Sequence, residues 1–257
     1  MMRDLSYKEK QERLAIRIRA HKEFASYDIG EWIAKFLARR ARKAIFDLGC
    51  GNGNHLHLYL DCVGPNGLVA GLDREVALID QAKLRYRGVA NLELRMGSMD
   101  APLPFGDGTF DTSFSNFAIY NAVDPAFTLR ELRRTLMPRG EVVLIGPTIN
   151  NARELRAFNE RLTGQAIDEV TLIRADRLQR EIVPLARVLF TEVCEEVINS
   201  QLDFPSADEF LRYYMATMFY EEGAEKQGKT LAEMHAALGT AGHVILSKEM
   251  LAVVARR

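Results

Sequence analysis

Between residues 43 and 147 the chain alternates short apolar runs with segments of helical periodicity. No other feature constrains its fold as tightly. The strand-sized runs are 43–49, 68–73, 91–98, 110–120 and 140–147. Between them, 53–62, 75–87 and 126–136 carry apolar residues at helical spacing. Strands separated by whole helices pair in parallel, because a parallel return needs a long crossover whereas an antiparallel one needs only a tight turn. The expectation is an α/β chain built on a doubly wound, mostly parallel sheet. Ligands of such sheets sit at the carboxyl ends of the strands.

The flanks depart from this rhythm. Residues 8–24 carry Leu14, Ile16, Ile18 and Phe24 among charges and read as a helix. A second helix over 28–40 places Ile29, Trp32, Ile33, Phe36 and Leu37 on one face. After residue 147, segments 150–163 and 175–187 look helical without leading directly into a strand. Residues 190–204 read as a strand, 206–220 as a helix capped by Ser206, and 243–257 as a last strand. The last two strands are expected to form an antiparallel edge, which brings the sheet to seven strands. The chain then divides into N-terminal helices (1–42), a core (43–147), a helical cap insertion (148–187) and the remainder of the sheet (188–257), all within one structural domain.

Charge and cysteine usage narrow the function classes. Lys and Arg number 34 against 35 Asp and Glu, a net charge of -1. That balance gives no electrostatic footprint for nucleic acid. No apolar run reaches membrane-spanning length, and the charged N-terminus lacks a signal-peptide core. The three cysteines, Cys50, Cys62 and Cys194, form no CxxC pair. They suit neither a disulfide framework nor a zinc site, and they fit a reducing cytoplasm. His55 and His57 are two apart and do not share a helix face, so no metal site is expected.

The first strand runs into "IFDLGCGNGNH", residues 45–55, with glycines at 49, 51 and 53. A dinucleotide fingerprint would place its third glycine at position 54, where Asn54 stands, and no Lys-Ser/Thr pair follows to make a P-loop. Asp47 precedes the first glycine by two residues. A carboxylate there would repel a pyrophosphate and attract an ammonium. Asp73 ends the second strand about 20 residues later, where an acid can accept hydrogen bonds from both ribose hydroxyls. The segment "GSMDAPLPFGDGTFD", residues 97–111, then offers a loop that can line an adenine pocket. Asp111, at the start of the fourth strand, reads as a structural brace.

With "DLGCGNG", "GLD", "LPFGDGTFD" and "LMPRGEVVL" in this order and spacing, the chain resembles the class I S-adenosylmethionine-dependent methyltransferases, small-molecule type. The resemblance covers roughly 43–147. It implies a Rossmann-like methyltransferase fold, S-adenosylmethionine as cofactor and S-adenosylhomocysteine as product. It also implies that Asp47, Gly49, Gly51 and Gly53 hold the methionine end, with Cys50 between them as a small packing residue. Asp73 takes the ribose, Leu72 and Arg74 border the adenosine, and Ser98, Met99 and Asp100 flank adenine. Asn116 faces the methionine part near the sulfonium, and Tyr27 closes over the cofactor from the N-terminal helices. Many relatives read Gly-Asp after the third strand. Here Gly97-Ser98 displaces the acid to Asp100.

The reaction this implies is in-line attack on the sulfonium methyl group, with alignment supplying much of the rate. A general base is needed only for some acceptors. The residues name none; His21, Tyr120 and Glu221 are the candidates. No "DPPY" or "NPPY" follows the fourth strand, where "SNFAIYNAVDP" stands instead, which argues against amino-methylation by that route. The expected partner is a small-molecule acceptor, partly apolar if residues 206–220 line its pocket. The oligomeric state is left open. Two other readings stay open at this stage. One is a non-catalytic or regulatory S-adenosylmethionine-binding protein. The other is a NAD-dependent oxidoreductase, which Asp47 and the missing glycine at 54 oppose.

Overall fold

A computed structural model of the protein describes residues 11–167, 169–239 and 242–257. All seven expected strands form: β1 (Ala44–Leu48), β2 (Leu68–Asp73), β3 (Leu92–Met96), β4 (Phe110–Asn116), β5 (Leu136–Pro147), β6 (Glu192–Phe204) and β7 (Val244–Arg256). They make one sheet in the order β3-β2-β1-β4-β5-β7-β6. Strands β1 to β5 pair in parallel, and the order reverses between β1 and β4. That reversal is the switch point at which such sheets bind ligands. The last two strands form the expected antiparallel edge. Only β7 runs antiparallel, against both β5 and β6, so the edge strand β6 points the same way as β5. The helical stretch between β5 and β6 serves as the crossover that lets β6 return parallel.

Helices cover both faces. On one face lie α2 (Ile29–Leu37), α3 (Leu56–Val63) and α4 (Val76–Arg85). On the other lie α5 (Pro125–Thr135), a π-helical turn Leu178–Ile182 and α8 (Val183–Leu189). Every residue of β1 is buried, as expected for a central strand covered on both sides. Its side chains alternate: Ile45 packs with Trp32, Ile33 and Phe114, while Phe46 and Leu48 join Leu129, Leu132 and Ile182.

The β6–β7 hairpin outruns the rest of the sheet. Pairing with β5 ends at Pro147 opposite Met250, and β7 continues back to Val244 opposite Phe204. Six further residue pairs extend about 20 Å beyond the ends of the parallel strands. A third apolar cluster sits on this extension. It draws on α1 (Gln11–Phe24), α6 (Arg153–Thr163), α9 (Ala207–Met215) and α10 (Leu231–Leu238). Phe158 meets Phe210 and Tyr214 edge-on at 5.1 and 4.9 Å between ring centroids. One more helix, α7 (Glu169–Arg177), precedes the π-helical turn.

Two boundaries differ from the sequence reading, and a third cannot be compared. The strand expected over 110–120 ends at Asn116, because Phe117 turns to φ 53 and a 3-10 turn (Ile119–Asn121) follows. The helix expected over 206–220 stops at Met215, although Ser206 caps it as expected by accepting from the Glu209 N–H. The first helix is described from Gln11 onward; residues 8–10 of that expectation lie outside the described residues.

Candidate active site

The glycine turn is built so that backbone, not side chains, meets whatever lies beside it. Gly49 has φ +78, and a Cβ there would stand 2.3 Å from the Ala118 Cβ. Its N–H and that of Cys50 both donate to the Leu72 carbonyl, at 2.7 and 3.2 Å, which fastens the turn to the end of β2. Gly51 has φ +54, and a Cβ there would meet no heavy atom within 4 Å. One side of the turn therefore clamps against Ala118 and the other opens into empty space.

Asp73 is half-buried and braces this turn. Its Oδ2 accepts from the Gly51 N–H at 2.8 Å and its Oδ1 from the Glu75 N–H at 2.9 Å. Each oxygen keeps lone-pair capacity for a ligand hydroxyl. Arg74 is exposed and ion-pairs with Glu75 at 3.5 Å. Leu72 is 1% exposed, so its side chain belongs to the core and its carbonyl serves the loop.

Asp47 is the decisive group. It is 2% exposed, and its Oδ1 has no hydrogen-bond partner. Burial, and then the negative charge of Asp73, push its carboxyl up to about 8. Without a cation beside it the group holds its proton at neutral pH. A buried, unpartnered carboxyl oxygen is costly, and such atoms mark functional sites. Asn116, on the same face of the sheet, donates its Nδ2 to the Tyr59 hydroxyl at 2.7 Å and leaves its own Oδ1 buried without a partner. Tyr59 is fully buried on α3 and stacks on Phe114 at 4.6 Å. Immediately after Asn116, Phe117 holds φ 53, a strained conformation for a bulky residue. The Phe117 N–H donates to the Ile145 carbonyl at 2.7 Å, and this anchors the kink that sets Ala118 against Gly49.

The residues after β3 form the third wall. Ser98 Oγ accepts from the Asp100 N–H at 3.1 Å, and Asp100 Oδ1 accepts from the Val123 N–H at 2.7 Å. Met99 Cε stands 3.8 Å from where a Gly49 Cβ would lie. Tyr27 is half-buried in the turn between α1 and α2, with Lys35 Nζ 5.7 Å above its ring. Cys50 packs its Sγ against Gly71, and burial raises its thiol well above the ordinary range, which leaves an inert packing residue.

The three candidate bases separate. Tyr120 packs over Gly146 with the cluster on the sheet face opposite Asp47. Glu221 pairs with Arg13 at 3.2 Å, beside α1. His21, in the last turn of α1, meets Tyr213 edge-on at 5.8 Å and has a buried Nδ1 without a partner. Burial, with the Lys248 and Arg17 cations, lowers it to about 3. Asp111 Oδ2 accepts from the Lys43 and Ala44 N–H groups at 2.6 and 3.1 Å, so it ties β4 to β1 at the opposite end of the strands. A cleft of about 360 Å³ between Trp32, Phe36 and Arg256 also lies at that far end, away from the glycine turn.

Two residues of this region carry no local signature. Tyr59 reads as an ordinary buried aromatic of a helix. Lys248 is legible only as a charge at an inward position of β7, between Leu246 and Met250.

The family model described as "Methyltransferase domain" matches residues 40–184, more than half of the chain. The chain belongs to the class I S-adenosylmethionine-dependent methyltransferases. This methyltransferase is 28% identical over 205 residues to a demethylmenaquinone methyltransferase of a Geobacillus species, an alignment covering 77% of this chain and 79% of that one. It is 33% identical over 111 residues to an uncharacterised 37.1 kDa protein of a Streptomyces fradiae transposon, with 43% of this chain aligned to only 32% of that protein. The fold matches the YcgJ protein of Bacillus subtilis with a TM-score of 0.60 at 16% identity, across 89% of this chain and 97% of that one.

Proposed function

We propose that this methyltransferase moves the methyl group of S-adenosylmethionine to a partly apolar small-molecule acceptor, with S-adenosylhomocysteine as product. The observation that carries the reading is the buried, unpartnered Asp47 oxygen beside a turn of three left-handed glycines. The orphaned oxygen is an acceptor, and the ammonium of the methionine moiety would supply both the missing donor and the counter-charge. Asn116 Oδ1, orphaned on the same face, is a second acceptor for that end. Asp73 would take the ribose, the turn's open side at Gly51 would let the ligand approach the backbone, and Ser98, Met99 and Asp100 would border the base. Tyr27 would close the pocket from the N-terminal side.

When bound, the cofactor supplies an electrophilic methyl group on a cationic sulfur. The chain's own contribution is to hold the acceptor in line and exclude water. The β6–β7 extension carries an apolar cluster of its own past the strand ends, and that supports an acceptor with a hydrophobic body. Its similarity to demethylmenaquinone methyltransferases supports a quinol-like ring among the acceptors to try first. The free thiols of Cys50, Cys62 and Cys194 support a cytoplasmic location.

The test is calorimetric titration with S-adenosylmethionine, S-adenosylhomocysteine and NAD, followed by S-adenosylhomocysteine release over a panel of phenols, quinols, amines and carboxylic acids. Micromolar binding of the first two ligands and turnover on at least one ring acceptor are expected. Binding of NAD in preference to both would overturn the cofactor reading, and silence over the whole panel would favour a non-catalytic binding protein.

A further inference from the structure

The segment after β4 joins two walls of the candidate site. At its near end Ala118 stands behind the glycine turn, where a Cβ on Gly49 would lie 2.3 Å from the Ala118 Cβ. At its far end the Val123 N–H donates to Asp100 Oδ1 at 2.7 Å, and Thr128 Oγ1, in the first turn of α5, donates to the Met99 carbonyl at 3.0 Å. The 3-10 turn Ile119–Asn121 lies between these ends. It closes with the Asn121 N–H on the Ala118 carbonyl and the Ala122 N–H on the Ile119 carbonyl, both at 2.9 Å. A 3-10 turn this short has poor hydrogen-bond geometry and leaves its later carbonyls to find donors elsewhere.

Arg177 brings those donors from the helical stretch between β5 and β6. It is the last residue of α7 and is 5% exposed. Its Nη1 donates to the Tyr120 carbonyl at 2.9 Å and to the Ala122 carbonyl at 2.5 Å. Its Nε donates to Glu181 Oε2 at 2.7 Å, and its Nη2 reaches Glu181 Oε1 at 3.4 Å. The carboxylate thus holds one edge of the guanidinium while another edge meets the turn. Glu181 lies one turn further on, in the π-helical turn Leu178–Ile182. That turn is seated on the sheet by Leu178, which is 1% exposed and would stand 3.0 Å from a Cβ on Gly146. A planar fork of donors can serve two carbonyls and a carboxylate at once, which a lysine ammonium on a flexible stem does less well. Burying a cation is costly, and here the partners that offset the cost belong to the segment joining the two walls.

We infer that Arg177 is a positioning residue for the cofactor, acting through the segment 117–123. Its guanidinium fixes the Tyr120 and Ala122 carbonyls. That sets Ala118 against the glycine turn at one end and Val123 under Asp100 at the other. The inference rests on the cofactor reading above, in which the first wall borders the methionine end and the second borders the base. Ala122 is fully buried, so its carbonyl would lose its donor with no water to replace it if the guanidinium were removed. The turn would then spread over several conformations. Cofactor binding would select the one that keeps both walls in place, and the apparent affinity would fall by the fraction of chains that hold it.

The experiment is calorimetry of the full chain with S-adenosylhomocysteine, beside thermal melts and amide hydrogen exchange. Arg177→Gln is expected to weaken binding about tenfold at a temperature where its melt shows it folded. It is also expected to speed exchange of the Asn121, Ala122 and Val123 amides about tenfold, with the β6 and β7 amides unchanged. Arg177→Lys, which keeps the charge and loses the fork, should fall between Arg177→Gln and wild type. Glu181→Gln leaves the guanidinium in place, and with a side chain 45% exposed it does not put folding at risk. It is expected to weaken binding about threefold. Thr230→Ala, which removes the cap of the distant α10, is the control and should lower the melting point with affinity unchanged. Wild-type affinity in Arg177→Gln, whatever its melting point, overturns the inference. Should Arg177→Gln fail to fold, unchanged affinity in Glu181→Gln overturns it instead. An equal affinity loss in Thr230→Ala also overturns it, because binding would then follow stability alone. Failure of wild type to bind S-adenosylhomocysteine at all overturns the cofactor reading, and this inference with it.

Discussion

Asp47 ties pH to stability and, under the proposed function, to ligand binding. Its carboxyl stands near 8 in the folded chain against an ordinary 3.8. Between about pH 4 and about pH 8 the folded state keeps a proton that the unfolded state has lost, so this group makes stability fall as pH rises through that window. Asp47→Asn is expected to remove that slope and to raise the thermal midpoint of the ligand-free protein at pH 8. It is also expected to weaken S-adenosylmethionine binding about tenfold or more, since a charge-assisted contact is lost. Thermal melts at pH 5, 6.5 and 8 alongside titrations decide both points; a variant that binds normally would remove Asp47 from the ligand. Wild-type binding at pH 7 should release close to one proton, read from titrations in buffers of different ionisation enthalpy. Asp73 makes the complementary case. Asp73→Ala is expected to lower affinity about tenfold through loss of the ribose contact, and unchanged affinity would put the ribose elsewhere.

The elements that position these residues are closed by short-range chemistry legible in their sequences. Asp124 caps α5, its Oδ1 accepting from the Phe127 N–H at 2.9 Å, with Pro125 at the first helical position. Asp124→Ala is expected to cost about 1 kcal/mol in urea unfolding, with cofactor affinity unchanged. Thr230 and Glu233 form a capping box at α10, a helix the periodicity alone did not separate from its surroundings. Where the reading overshot, a backbone event intervened. β4 stops at Asn116 because Phe117 adopts a left-handed conformation that apolar patterning cannot anticipate.

Across the whole molecule, the β6–β7 hairpin is what sets this sheet apart from its parallel half. It carries its own apolar cluster past the strand ends, and Phe204 sits at the centre of that cluster, fully buried and in ring contact with Phe24, Phe210 and Tyr213. Phe204→Ala is expected to destabilise the protein by about 3–5 kcal/mol. In the surviving folded fraction it should lower turnover of ring acceptors more than cofactor affinity, because the glycine turn is anchored separately on β2. Equal losses in both would mean that the extension and the cofactor pocket act as one unit.

The order of strands and helices through residue 147, the left-handed glycine turn and the two acids that flank it were all readable in the chain, because each depends on neighbours within a few residues or on a repeating period. These features were enough to name a nucleoside ligand with a cationic end and the family that binds it. Tertiary structure alone decided the rest. It put β7 between β5 and β6, joined Tyr59 to Asn116, and raised the Asp47 carboxyl by burial. It also drew His21 of the first described helix against Tyr213 of α9. Register between distant strands and the loss of water around a charge are properties of the assembled core, so no local stretch of sequence carries them.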